Sequence, residues 1–127
     1  VNAPRQVRVV IADDDALIRD ALRAVLNAEP DLEVVAAAGD TAEAIALVEQ
    51  REPDVAVLDL RMAGGGGVAA AREIRRRVPA VRLVALSAYS DTASQEAMAL
   101  TGVDAYLVKG VPNTHIVSTV RRLAAPS

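Results

Sequence analysis

The chain contains no cysteine, no tryptophan and no phenylalanine, and its 127 residues include only two tyrosines and one histidine. Without cysteine there is no disulfide to staple the fold and no thiol chemistry, a composition compatible with a reducing compartment. Without Phe or Trp the core has to be built from Val, Leu, Ile and Ala, so Tyr89 and Tyr106 each call for an explanation. No apolar run approaches the roughly 18 residues of a membrane span, and no secretory leader pattern opens the chain. The expectation is a cytoplasmic protein with no membrane partner. A net charge of −3 gives no general attraction to nucleic acid.

What is present is ample for a core. Hydrophobic residues make up 52% of the chain and charged ones 24%, which suits one soluble globule of this length. A single domain over residues 1–127 is expected, with its core at about 7–123. Val1 in place of an initiator Met suggests a processed or excised chain, and 124–127 reads as the start of a linker or tail.

The stretch 54–59, Asp-Val-Ala-Val-Leu-Asp, organises the rest. An apolar run of four that ends in a carboxylate predicts a central strand buried on both faces, with Asp59 at the rim of the sheet. Before it, Val7–Ala12 predicts a strand that stops at Asp13, Asp14 and Asp15. Asp15 is placed to cap a helix with Leu17, Ile18, Ala21, Leu22, Val25 and Leu26 inward, closed by Pro30. Residues 33–38 predict a second strand, and Thr41 a cap for a helix through Ala44, Leu47 and Val48 that Pro53 stops. After the central strand come Arg61, Met62, Ala63 and four glycines, 64–67, and then a third helix with Val68, Ala71, Ile74 and Val78 inward. Its Arg72, Arg75, Arg76 and Arg77 have no interleaved aromatics and predict a solvated outer face rather than a nucleic-acid surface.

Residues 81–86 predict a fourth strand ending at Ser87. Asp91 is placed to cap a helix with Ala93, Ala97 and Leu100 inward and Gly102 as its stop. Ala105–Val108 predicts a fifth strand ending at Lys109, and Pro112 and Asn113 open a last helix with Ile116, Val117, Val120, Leu123 and Ala124 inward. His115, near that helix start, is expected on the surface. Five strands alternating with five helices predict an α/β fold, a doubly wound parallel sheet covered on both faces.

Ligands of such sheets bind beyond the carboxyl ends of the strands, where the strand order reverses. In the order 2-1-3-4-5 the first and third strands are neighbours, and Asp13, Asp14 and Asp59 converge. Two carboxylates about 4 Å apart repel by roughly 4 kcal/mol at an effective dielectric near 20. The cluster therefore calls for a divalent cation or raised pKa values, and oxygen-only donors of this number suit Mg²⁺. Lys109 adds a positive charge and Ser87 a hydroxyl, which together with an acid nucleophile are the parts needed to form an acyl phosphate on Asp59.

In order and spacing, Ala12-Asp13-Asp14, Asp59, Ser87 and Tyr106-Leu107-Val108-Lys109 resemble the motifs of the response-regulator receiver domain of two-component signalling, over residues from about 7 to 123. The resemblance implies a flavodoxin-like fold and a protein that is not an enzyme beyond self-catalysed phosphoryl transfer and dephosphorylation. It implies Asp59 as phosphoacceptor, and Mg²⁺ held by Asp13, Asp14, Asp59 and the backbone carbonyl of Arg61. Lys109 and Ser87 would contact the phosphoryl group, and Ser87 with Tyr106 would form the switch. The implied partners are a sensor histidine kinase, a C-terminal output domain of the same protein, and a second copy docked through the fourth helix, fifth strand and fifth helix. The domain itself would not touch nucleic acid.

The chain is most similar to receivers joined to a helix-turn-helix (LuxR/NarL-like) output, which implies transcription regulation. A receiver controlling a cyclic-dinucleotide enzyme, and a stand-alone or phosphate-independent interaction module, are the alternatives. Two positions depart from the family pattern: Ala63 stands where proline is usual, and Gly66 where an acid or amide is usual. With glycine's greater loss of backbone freedom on ordering, they predict a mobile loop over 64–67 and a weakened resting metal site.

Overall fold

The computed structural model describes residues 5–88 and 92–125, so Tyr89 and the cap assigned to Asp91 lie outside the described residues. The elements alternate in chain order as β1 (Val7–Ala12), α1 (Ala16–Asn27), β2 (Leu32–Ala38), α2 (Thr41–Arg51), β3 (Val55–Asp59), α3 (Gly66–Arg77), β4 (Arg82–Ser87), α4 (Thr92–Ala99), β5 (Ala105–Val108) and α5 (Asn113–Ala124). The strands form one parallel sheet in the order β2-β1-β3-β4-β5. This is the predicted doubly wound order.

Alternate side chains of a strand point to opposite faces, and the two faces carry separate cores. On one, Val9, Ile11, Val57 and Leu86 pack with residues of α1 and α5, including Leu26 and Val120. On the other, Val10, Leu58 and Ala85 pack with residues of α2, α3 and α4, including Val48, Ile74 and Met98. Every residue of β3 is buried, because β3 has strands on both sides and helices on both faces. That is why its sequence is a continuous apolar run rather than an alternation.

Several local expectations are corrected. Asp40, not Thr41, caps α2: its carboxylate accepts from the Glu43 amide at 2.8 Å, and Thr41 is the first helical residue. Helix α1 ends at Asn27, three residues before Pro30. Leu17 and Leu100 are not inward but 80% and 85% exposed, and Met98 of α4 is fully buried. Ala21 and Ala93 are also exposed.

Nor do the four glycines make a four-residue loop. Gly64 and Gly65 turn the chain with positive φ, while Gly66 and Gly67 open α3 and are buried. Of the arginines on α3, Arg75 faces inward at the helix end. It donates to the carbonyls of Pro79, Val81 and Gly102 and pairs with Asp104 at 3.1 Å. Arg76 and Arg77 pair with Glu73 on the outer surface, as a solvated face requires.

Candidate functional site

The carboxyl ends of β1, β3, β4 and β5 deliver the functional side chains to one rim of the sheet. Asp13 follows β1, and its amide donates to the Ala38 carbonyl at 3.0 Å, continuing the pairing with β2 by one residue. Its Oδ1 accepts from the Asp15 amide at 2.9 Å, and its carbonyl accepts from the Arg19 guanidinium at 2.8 Å. Asp15 in turn caps α1 by accepting from the Leu17 amide. Three contacts thus fix a carboxylate that is 1% exposed.

Asp59 ends β3 and is 4% exposed. Lys109 reaches between the two acids, its ammonium 2.9 Å from Asp13 Oδ2 and 3.2 Å from Asp59 Oδ1. The Lys109 amide donates to the Ser87 carbonyl at 2.6 Å, which ties the end of β5 to the end of β4. Ser87 is fully buried at that end. Tyr106, half-buried, pairs with Ala85 across the β4–β5 ladder and packs against the core of the α2, α3 and α4 face.

Asp13, Asp14 and Asp59 each offer an oxygen within 4.8 Å of the others, and Asp14 is exposed to solvent. The Lys109 ammonium pairs with two of these three carboxylates. Burial pushes the Asp59 carboxyl above its usual range and the neighbouring Asp13 charge adds to the rise, against the opposing pull of Lys109 and a backbone hydrogen bond from Arg61. Lys109 is held above its ordinary value: burial works against the charge, but the bond to Asp13 and the field of both acids outweigh it.

Asp13 Oδ2 is the diagnostic atom. It is buried, and apart from the Lys109 ammonium at 2.9 Å it accepts no hydrogen bond from a described residue. A buried carboxylate oxygen with spare lone pairs, beside two further carboxylates and with no sulfur or imidazole in the set, fits a hard divalent cation.

Of the residues read from the sequence as part of the site, Asp13, Asp14, Asp59, Ser87 and Lys109 are on this rim, Arg61 stands two residues beyond Asp59 on the connection to α3, and Tyr106 lies within β5, opposite Ala85. Two further residues carry no sequence signal. Arg19 looks like any helical arginine, and only the return of α1 over the end of β1 brings its guanidinium to the Asp13 carbonyl. Thr41 reads as a cap, but its buried hydroxyl donates to the Gly66 carbonyl at 3.2 Å. An apolar groove of about 340 Å³ borders the site between α1 and the β5–α5 connection, lined by Leu17, Ile18, Leu86, Lys109 and Val111 among others.

Comparison with known proteins gives one consistent result. The family model described as response regulator receiver domain matches residues 9–121. The DNA-binding transcriptional activator DevR/DosR of Mycobacterium tuberculosis is 38% identical over 120 residues, covering 94% of this chain and 55% of the relative. The oxygen regulatory protein NreC of Staphylococcus carnosus is 34% identical over 91% of this chain and 54% of its own. Among solved structures, the signal receiver domain of the putative response regulator NarL from Mycobacterium tuberculosis superposes with a TM-score of 0.91 at 34% identity, covering 95% of this chain and 98% of that one. The chain spans about half the length of the curated relatives it matches.

Proposed function

This chain belongs to the response regulator receiver domain family, and we propose that it accepts a phosphoryl group on Asp59 from a sensor histidine kinase and thereby switches an output domain. The observation that carries this reading is the cluster of three carboxylates at the rim, with Asp59 as an acid that Lys109 touches and that ends the central strand. An Asp59 carboxylate oxygen attacks phosphorus while the bond from phosphorus to the donor nitrogen breaks, and the electron pair of that bond stays on the donor imidazole. Lys109, already paired with Asp59, is placed to neutralise an oxygen of the incoming group. Ser87, at the end of the adjacent strand, supplies a hydroxyl to another.

Asp13, Asp14 and Asp59, with the Arg61 carbonyl, would hold Mg²⁺. When bound, the cation supplies charge neutralisation for the acids and the phosphoryl oxygens. The chain's own part is to hold the acids rigidly: Asp13 by its contacts to Asp15, Arg19 and Ala38, and Asp59 by its place in β3. The groove along α1 exposes Leu17 beside Lys109, so a donor protein that reaches Asp59 also covers this apolar surface.

In the switched state Ser87 moves toward the phosphoryl group and Tyr106 turns inward into the space it leaves. The contacts of α4, β5 and α5 then change, which biases dimerisation or output docking. The relatives DevR/DosR and DegU are named as transcriptional regulators, which supports a DNA-binding output in the cytoplasm rather than an enzymatic one. No described helix is long and apolar enough to cross a membrane.

The test is direct. Acetyl phosphate with Mg²⁺ adds one phosphoryl mass to the wild type and none to Asp59→Ala. Equal gain in both, or none in folded, metal-bound wild type, refutes the assignment. On saturation with beryllofluoride the NMR shifts of Tyr106 change, and unchanged shifts refute the switch.

A further inference from the structure

The connection from β3 to α3 must hold the Arg61 carbonyl beside the acids, yet its own sequence does little to stiffen it. Ala63 imposes no fixed φ, and the glycines that follow lose more backbone freedom on ordering than any other residue. The contacts that hold it come from across the molecule. Asp40 and Ala63 form an isolated parallel bridge outside the sheet. The Thr41 amide donates to the Ala63 carbonyl at 3.0 Å, and the Thr41 hydroxyl donates to the Gly66 carbonyl at 3.2 Å. One residue therefore grips both ends of the Ala63–Gly66 turn.

The glycines fit this grip. A Cβ at Gly64 would stand 3.3 Å from Thr41 Cβ, and one at Gly66 would meet the Leu60 carbonyl oxygen at 2.7 Å. Gly66 also has a φ of +80, a conformation that disfavours the acid or amide usual in the family. The Gly67 amide closes the turn onto the Leu60 carbonyl at 2.8 Å.

We propose that Thr41 is a positioning residue for the phosphoryl-transfer site: from the start of α2 it braces the β3–α3 connection and so sets where the Arg61 carbonyl stands. Thr41 is 4% exposed, and its contacts run to the connection rather than to the acids, so it acts through the loop. The inference rests on the reading of Arg61 as a cation ligand.

Thr41→Val keeps the shape and removes the hydroxyl. In the metal-free variant the amides of residue 41, which donates across the junction, and of Gly67, which closes the turn, exchange with solvent about tenfold faster than in wild type, while those of Val57 and Ala85 in the core strands are unchanged. Mg²⁺ affinity, followed by amide shifts of Asp13 and Asp59, falls several-fold, and Thr41→Ser restores both readings. Equal Mg²⁺ affinity in wild type and Thr41→Val overturns the proposal. So does free-peptide exchange at Gly67 in wild type, a measurement that needs no variant. If Thr41→Val does not fold, Thr41→Ala serves for the same comparison. A wild type that binds Mg²⁺ but takes no phosphoryl group from acetyl phosphate counts against Asp59 as acceptor and leaves the exchange and affinity results to judge the brace.

Discussion

At the scale of single residues, the rim is a place where removing a group can stabilise. Asp59 is buried beside Asp13, and its folded pKa is raised. Ionising it therefore costs more in the folded state than in the unfolded chain. The metal-free protein loses stability as pH rises from the unfolded carboxyl value, about 4, through the higher folded one, and then levels off. Asp59→Asn leaves one buried carboxylate facing the ammonium. It should raise the metal-free stability at neutral pH by on the order of 1 kcal/mol, seen as a melting temperature a few degrees higher, and abolish that pH-dependent decline. Added Mg²⁺ should then stabilise wild type far more than the variant. Lys109→Met has the opposite sign, because it strands two buried acids. With 23% of the lysine side chain exposed, the loss should be about 2 kcal/mol, below the 3 to 5 typical of fully buried pairs, and Mg²⁺ should recover part of it. A metal-free Lys109→Met as stable as wild type would mean the acids are already neutral.

Elements show where packing overrides local pattern. Helix α4 offered Ala93, Ala97 and Leu100 as an inward face, but the helix stops at Ala99 and buries Met98 instead. Met98→Ala should cost about 2 to 4 kcal/mol, and Leu100→Lys within about 0.5, both by urea denaturation; comparable losses would contradict the placement of α4. The start of α3 gives a second contrast. A Cβ at Gly67 would lie 2.3 Å from the Asp59 carbonyl oxygen and 2.9 Å from Leu60 Cα, atoms of backbone that cannot yield. Gly110 has open space around it but a φ of +102. Gly67→Ala should therefore cost about 3 kcal/mol or more and Gly110→Ala only about 1 to 2. The close seating of α3 on Asp59 is the reason for the difference. A loop over all of 64–67 is the natural reading of four glycines, since their spacing says nothing about what backs them; Gly66 and Gly67 open α3 instead, at positions where nothing larger fits.

For the molecule as a whole, the outer ion pairs set the response to acid. Arg76 and Arg77 hold the Glu73 carboxyl down at about 2, and Arg121 holds that of Asp31 below its usual range. Depressed carboxyls contribute stability that is complete above their unfolded values, near 4, and lost as pH falls through the folded ones. The joint change Arg76→Ala with Arg77→Ala should flatten the decline in melting temperature between about pH 4 and pH 2. The effect should be small and should shrink further in salt, because these groups are exposed. An unchanged slope would mean the pairs do not persist in solution. On the same scale, the strands, their parallel arrangement and the rim residues Asp13, Asp14, Asp59, Ser87 and Lys109 were determined by the sequence alone. Buried strands must be apolar throughout, and a polar residue that ends one has to sit at the sheet's rim. Only the tertiary structure decided that the buried Asp13 Oδ2 has the Lys109 ammonium as its partner, that Arg19 and Thr41 bond the two loops, and that Leu17 faces solvent while Met98 does not. Those outcomes depend on which backbone passes within about 3 Å of a given side chain, and that distance is set by how helices far apart in sequence seat on a common sheet.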